Sequence, residues 1–222
     1  MNLPDGMHTL SLNVAFEGRE VTLHPSAIET DGGLLLLDVG LPGTVEQLEG
    51  YLDDAGFGFD DVAMILITHQ DGDHAGSLAS VLERTDATVI APEGEAAVVD
   101  GRENPRGPGD RERYPPARVD IELDGSGTFN TRAGPARIIE TPDHTPDHVS
   151  VYLPDAQFLV VADALTVNED GLAGPRPDMS EDMDRARSSV QKLADLDIDR
   201  VLCYHGGYTE EGSDRIAELG QQ

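Results

Sequence analysis

Cysteine, lysine and tryptophan are nearly or wholly missing from these 222 residues: there is one cysteine, one lysine and no tryptophan, and aromatic residues make up 5%. A lone Cys203 excludes an internal disulfide and a cysteine-built zinc finger, so any metal must be held by histidine and carboxylate. No window approaches the roughly 20 consecutive apolar residues that cross a bilayer, and Met1 to Leu10 lacks the charged and apolar regions of a signal peptide. The chain is therefore read as soluble and cytoplasmic. Positive charge is scarce as well, with 15 basic against 43 acidic side chains and a net charge of −28. A polyanion is a poor partner for phosphate backbones, so the expected partner is a small molecule, not a nucleic acid or a membrane.

What is present is an orderly alternation of short apolar runs and helical patterns, without repeats or low-complexity tracts. Alternating segments at Thr9 to Phe16 and Val21 to Ile28 read as strands, and Leu34 to Leu37 as a buried strand ending at Asp38. Thr44 reads as the N-cap of a helix reaching about Ala55, followed by a buried strand at Ala63 to Thr68. A helix (Ser77 to Arg84), a strand (Thr88 to Ala91) and a short helix (Glu93 to Val99) precede a long irregular loop from Asp100 to Ala117. Arg102, Arg106, Arg111 and Arg113 gather in that loop, either to attract an anionic substrate or simply as a solvated surface. Strands resume at Val119 to Leu123, Arg137 to Glu140, Val149 to Leu153 and Phe158 to Ala162. A second irregular stretch, Leu165 to Met179, leads into a helix over about Ser180 to Asp195, a strand at Arg200 to Tyr204 and a C-terminal helix. Two groups of strands, each with helices, predict one domain over 1–222 with two sheets face to face and helices outside.

Histidines mark the chemistry. There are seven, and His69, His74, His144, His148 and His205 lie at or near predicted strand ends. His69-Gln70-Asp71-Gly72-Asp73-His74 packs four potential ligands into six residues directly after a strand, where a loop can aim alternate side chains into one cavity. His8 and His24 read as ordinary structural histidines, and Cys203 as a small buried hydrophobe. Tyr204 and Tyr208 neighbour His205 and are candidate donors to a developing oxyanion.

This segment resembles the HxHxDH motif of the metallo-β-lactamase superfamily, the glyoxalase II-like metallohydrolases, with Asp71 in place of the second histidine. Four further motifs are similar and in order: Leu37-Asp38-Val39-Gly40; Thr141-Pro142-Asp143-His144-Thr145-Pro146-Asp147-His148, resembling TPGHTPGH; Val161-Ala162-Asp163-Ala164; and Tyr204-His205-Gly206-Gly207. The resemblance implies an α/β (α+β) fold, the four-layer αββα sandwich of the metallo-β-lactamase fold. It implies two divalent metal ions, with His69, Asp71 and His144 on one, Asp73, His74 and His205 on the other, and Asp163 bridging. His148 then stands behind the ligands, and Asp38 is either a buried acid that orients the metal loop or a plain strand-end cap.

The implied chemistry is hydrolysis of an ester, thioester, lactone or amide by a metal-bridged hydroxide, since two cations about 3.5–4 Å apart lower the pKa of a shared water towards 7. Asp73 is the catalytic proton acceptor. Zinc is the first expectation, and the harder carboxylate at Asp71 brings iron or manganese behind it. The alternatives are an iron-dependent oxidoreductase of the same fold, persulfide dioxygenase-like, or a metal-binding protein without turnover. Because 26 of the acids are Asp and the single lysine stands against 14 arginines, the surface resembles that of salt-in halophilic archaea.

Overall fold

A computed structural model of the chain describes residues 1–16, 18–105, 113–177, 179–180 and 182–221, and they form two compact units. Arg106 and Arg111 of the arginine-bearing loop lie outside the described residues. No helix of the described residues is long and apolar enough to cross a membrane.

The first unit takes in His8–Asp124. In chain order its elements are β1 (Met7–Thr9, of which His8 and Thr9 belong to this unit), β2 (Leu12–Phe16), β3 (Arg19–Leu23), β4 (Ser26–Thr30), β5 (Gly33–Leu37), α1 (Val45–Asp54), β6 (Val62–Leu66), α2 (Gly72–Ala75), α3 (Leu78–Leu82), β7 (Thr88–Pro92), α4 (Glu93–Val99) and β8 (Ile121–Leu123). Among the described residues they make a mixed sheet of order β1-β4-β5-β6-β7-β8, antiparallel at β4/β5 and parallel from β5 to β8. The parallel centre is buried on both faces, which is why Leu34 to Leu37 is apolar without alternation. The two alternating N-terminal segments are each broken rather than continuous. Pro25 has no amide to donate and interrupts the chain between β3 and β4. As a result β2 and β3 pair only with each other, from Leu12↔Leu23 to Phe16↔Arg19, while β1 and β4 join the main sheet. Thr44 makes no side-chain cap to α1; its hydroxyl donates to the Leu41 carbonyl instead.

The second unit is Met1–Met7 with the chain from Gly125 onward. It contains β9 (Thr128–Thr131), β10 (Gly134–Glu140), β11 (Val149–Leu153), β12 (Phe158–Ala162), β13 (Thr166–Asn168), β14 (Gly171–Ala173), α5 (Met183–Ala194), β15 (Arg200–Cys203), β16 (Gly207–Thr209) and α6 (Ser213–Leu219). The sheet order is β16-β15-β12-β11-β10-β9, parallel only at β12/β15. Every residue of β11 and β12 is buried. Val190 and Leu193 of α5 and Ile216 and Leu219 of α6 pack with Leu159, Val161, Val201 and Cys203 in one apolar cluster. The stretch from Leu165 is not irregular throughout, because β13 and β14 form a hairpin paired from Thr166↔Ala173 to Asn168↔Gly171. Its turn is closed by the Asn168 side chain accepting from the Asp170 amide, and three-residue strands are too short to show alternation.

Candidate functional site

The chain leaves β6, passes Ile67 and Thr68, bends at His69 and Gln70, and reaches Asp71 in extended form before α2 carries Asp73 and His74. Gly76 is the residue that this path demands: a Cβ there would overlap the Gly72 carbonyl and Pro42. Gly72 is less constrained, since a Cβ would meet Tyr114 at an ordinary 3.6 Å. His69 and His74 are fully buried with ring centroids 3.9 Å apart.

Hydrogen bonds set the tautomers of both rings. Asp38, held at φ 60 beyond β5, accepts from the Thr68 amide and the Thr68 hydroxyl, each at 2.8 Å, and from His74 Nδ1 at 2.8 Å. Because the single hydroxyl proton of Thr68 goes to Asp38, His69 Nδ1, 3.2 Å from that oxygen, is the donor of its pair. Both imidazoles are thereby assigned the Nδ1–H form with Nε2 as the acceptor nitrogen. His69 Nε2 lies 3.7 Å from Asp71 Oδ2, and His74 Nε2 lies 4.0 Å from Asp73 Oδ2. Acceptors facing acceptors at these distances fit a shared cation.

The second unit carries the remaining candidates. A register shift between Val160 and Ala162, with Ala162 at φ 48, swings Asp163 off the end of β12. Its Oδ2 lies 3.6 Å from His144 Nε2 and 3.3 Å from His205 Nε2. His148 is spent differently. Its Nε2 accepts from the Asp163 amide at 3.2 Å, so Nδ1 donates to Thr141 Oγ1 at 2.9 Å, and the relay continues through Ser150 to the Val161 carbonyl. His144 thus has a nitrogen facing the Asp163 carboxylate, while His148 braces the backbone that carries it. Gly206 lets the chain turn after His205: it sits at φ 88, and a Cβ would overlap the Val167 carbonyl.

Several residues besides the candidate ligands also resolve. Asp143 adopts φ 136, a conformation natural to the glycine of the TPGH pattern, and its carboxylate accepts from the Asp182 amide, where α5 is capped in turn by Asp182. Cys203 is buried, and burial pushes its thiol well above the ordinary range. The Tyr208 hydroxyl donates to Glu210, which removes it from the candidate oxyanion donors, whereas Tyr204 is buried against the His205 ring. His8 bonds Glu29, and His24 lies 3.5 Å from the Ser11 hydroxyl. Arg102 pairs with Asp100 and Glu122, and Arg113 donates to the Val98 and Glu103 carbonyls, so both are tied down within their own unit. Sequence reasoning missed Thr68, Gln70, Glu95 and Tyr114, whose importance lies in partners distant along the chain, and the role of Thr141, which braces His148 within its own motif.

The profile of the metallo-beta-lactamase superfamily matches residues 25–205. A probable metallo-hydrolase, YflN of Bacillus subtilis, is 30% identical over 207 residues, covering 78% of this chain and 75% of its own length. A hydroxyacylglutathione hydrolase of Rhizobium meliloti is 37% identical over 101 residues, but this covers 46% of the chain and only 33% of that enzyme. Among solved structures, a metallo-beta-lactamase family protein from Thermus thermophilus superposes with a TM-score of 0.78 at 22% identity, covering 97% of this chain and 78% of that one. A metallo-beta-lactamase from Pontibacter korlensis also reaches 0.78, at 17% identity, with 100% and 98% covered.

Proposed function

Because the chain belongs to the metallo-β-lactamase superfamily, we propose that it is a dinuclear metal-dependent hydrolase opening an ester, thioester, lactone or amide bond of a small molecule. By the family resemblance, His69, Asp71 and His144 would hold one ion, Asp73, His74 and His205 the other, and Asp163 both. The observation that carries the reading is the assigned Nδ1–H form of His69 and His74, with each Nε2 beside a carboxylate oxygen of Asp71 or Asp73. Divalent cations there would supply an activated water and polarise the scissile carbonyl.

The chain's own residues do the rest. Asp38 and Thr68 hold the two rings in their binding tautomer, His148 fixes the peptide that bears Asp163, and Asp73 accepts the proton released on attack. Zinc is the favoured metal. Thioester cleavage is supported by the hydroxyacylglutathione hydrolases, although the chain spans only a third of the Rhizobium enzyme's length. Asp73→Asn tests the reading: hydrolysis falls by about 10²-fold or more with at least one metal retained, and wild-type turnover in that variant would sink the assigned role.

One observation favours a second reading. The carboxylate of Asp71 hardens its site towards iron, and an iron-dependent oxidoreductase acting on a persulfide is the alternative. It is recognised by oxygen consumption on a persulfide with no hydrolysis. The acidic surface is proposed to be an adaptation to molar salt, so folded protein is lost sharply below about 1 M salt.

A further inference from the structure

Gln70 is the one residue between the candidate ligands His69 and Asp71, and it is 1% exposed. Its backbone amide and its side-chain amide both donate to the same oxygen, Glu95 Oε2, each at 3.0 Å. Its carbonyl accepts from the Tyr114 hydroxyl at 2.6 Å. The peptide planes on either side of Gln70 are therefore pinned, one by each partner. Glu95 is 0% exposed, and a carboxylate is costly to bury, so it is retained only where its hydrogen bonds compensate. Tyr114 is fastened to the same helix as Glu95. Its neighbour Arg113 donates to the Val98 carbonyl and stacks 5.7 Å over the Tyr114 ring, and the Ala117 amide donates to Val99.

We propose that Glu95 and Tyr114 are positioning residues for the metal loop, acting through the Gln70 backbone to set the distance and angle between His69 and Asp71. The proposal rests on the metallohydrolase reading above. Metal sites require their ligands within about 0.5 Å of the productive geometry, and a loop at a strand end has no regular ladder to provide it. The clamp on α4 takes that place. Tyr114 also closes the ring over Gly72, the next residue after Asp71.

The test uses cobalt(II) as the probe, in the full-length protein at high salt, read by the visible absorption spectrum and by chelator competition. Tyr114→Phe and Glu95→Leu should each shift the cobalt bands and weaken cobalt binding about tenfold. Glu95→Gln should restore a spectrum close to wild type, because one amide oxygen can accept both bonds that Glu95 Oε2 now accepts. Thr85→Val removes another buried hydroxyl of the same unit, one that donates to the Val62 carbonyl, and should lower the melting temperature without moving the bands. Wild-type bands and affinity in both Tyr114→Phe and Glu95→Leu overturn the positioning role, and Tyr114→Phe decides alone if Glu95→Leu does not fold. Failure of the wild-type protein to take up cobalt overturns this proposal together with the metallohydrolase reading, whereas uptake with unchanged variant spectra overturns this one only.

Discussion

The carboxylate of Asp38 lies 2.8 Å from His74 Nδ1 although the two residues are 36 positions apart, and the same carboxylate takes both the amide and the hydroxyl of Thr68. One buried acid at a strand end thereby orients His74 directly and His69 through the threonine. Asp38→Ala leaves three buried donors without their acceptor. It is expected to cost about 3 kcal/mol of stability and to weaken metal binding about 10- to 100-fold. Denaturant unfolding of the metal-free protein and chelator competition measure the two effects separately. An affinity unchanged by the substitution would reduce Asp38 to a strand-end cap.

Asp71→His tests ligand hardness. Imidazole in place of carboxylate is softer and uncharged, so zinc affinity relative to manganese should rise on the order of tenfold. Competition between the two metals for wild type and variant reads this directly, and an unchanged ranking would show that the cavity rather than the ligand decides.

The motifs on which these predictions rest are legible because each is contiguous: six residues carry His69 to His74, and eight carry Thr141 to His148. The two groups of strands were equally readable, since burial on both faces leaves solid apolar runs such as Leu34 to Leu37. What stayed hidden depends on pairings across the chain. Glu95 lies in the short helix read over Glu93 to Val99, and nothing local reveals that it accepts from a residue 25 positions earlier, or that Tyr114 reaches back 44. Short edge strands such as β9 and β16 are set by their neighbours in the sheet and carry little pattern of their own. Pro25 lies within an alternating segment, and its missing amide, not the alternation, decides where the strand stops.

Buried tyrosines predict an alkaline limb of stability. Burial is the main cause that pushes the hydroxyls of Tyr114 and Tyr152 above the ordinary value of 10, with the charge of Asp197 adding to it at Tyr152. A group whose pKa is raised on folding contributes stability below its unfolded pKa and loses it as pH rises beyond. The urea midpoint should therefore fall above about pH 10, and Tyr152→Phe, which removes the hydroxyl that donates to the Asp197 carbonyl, should flatten part of that slope. A midpoint that does not fall with pH in this range contradicts the assignment.

Gly206→Ala probes the turn after His205. The Val167 amide donates to the His205 carbonyl at 3.1 Å, and a Cβ at 206 would overlap the Val167 carbonyl. The substitution should cost about 2 kcal/mol and lower the affinity for metal, because the strain is relieved by moving His205. Thermal melts in high salt and metal titration together check it; a stability loss with unchanged metal binding would show that the hairpin yields instead.

Metal content of protein purified in molar salt, measured on the same sample as its hydrolysis of a thioester and lactone panel, decides whether the chain is a dinuclear hydrolase. Two divalent ions per chain, zinc foremost, are expected, with hydrolysis lost on chelation and restored by zinc. One iron per chain, oxygen consumption on a persulfide and no hydrolysis across the panel would contradict it.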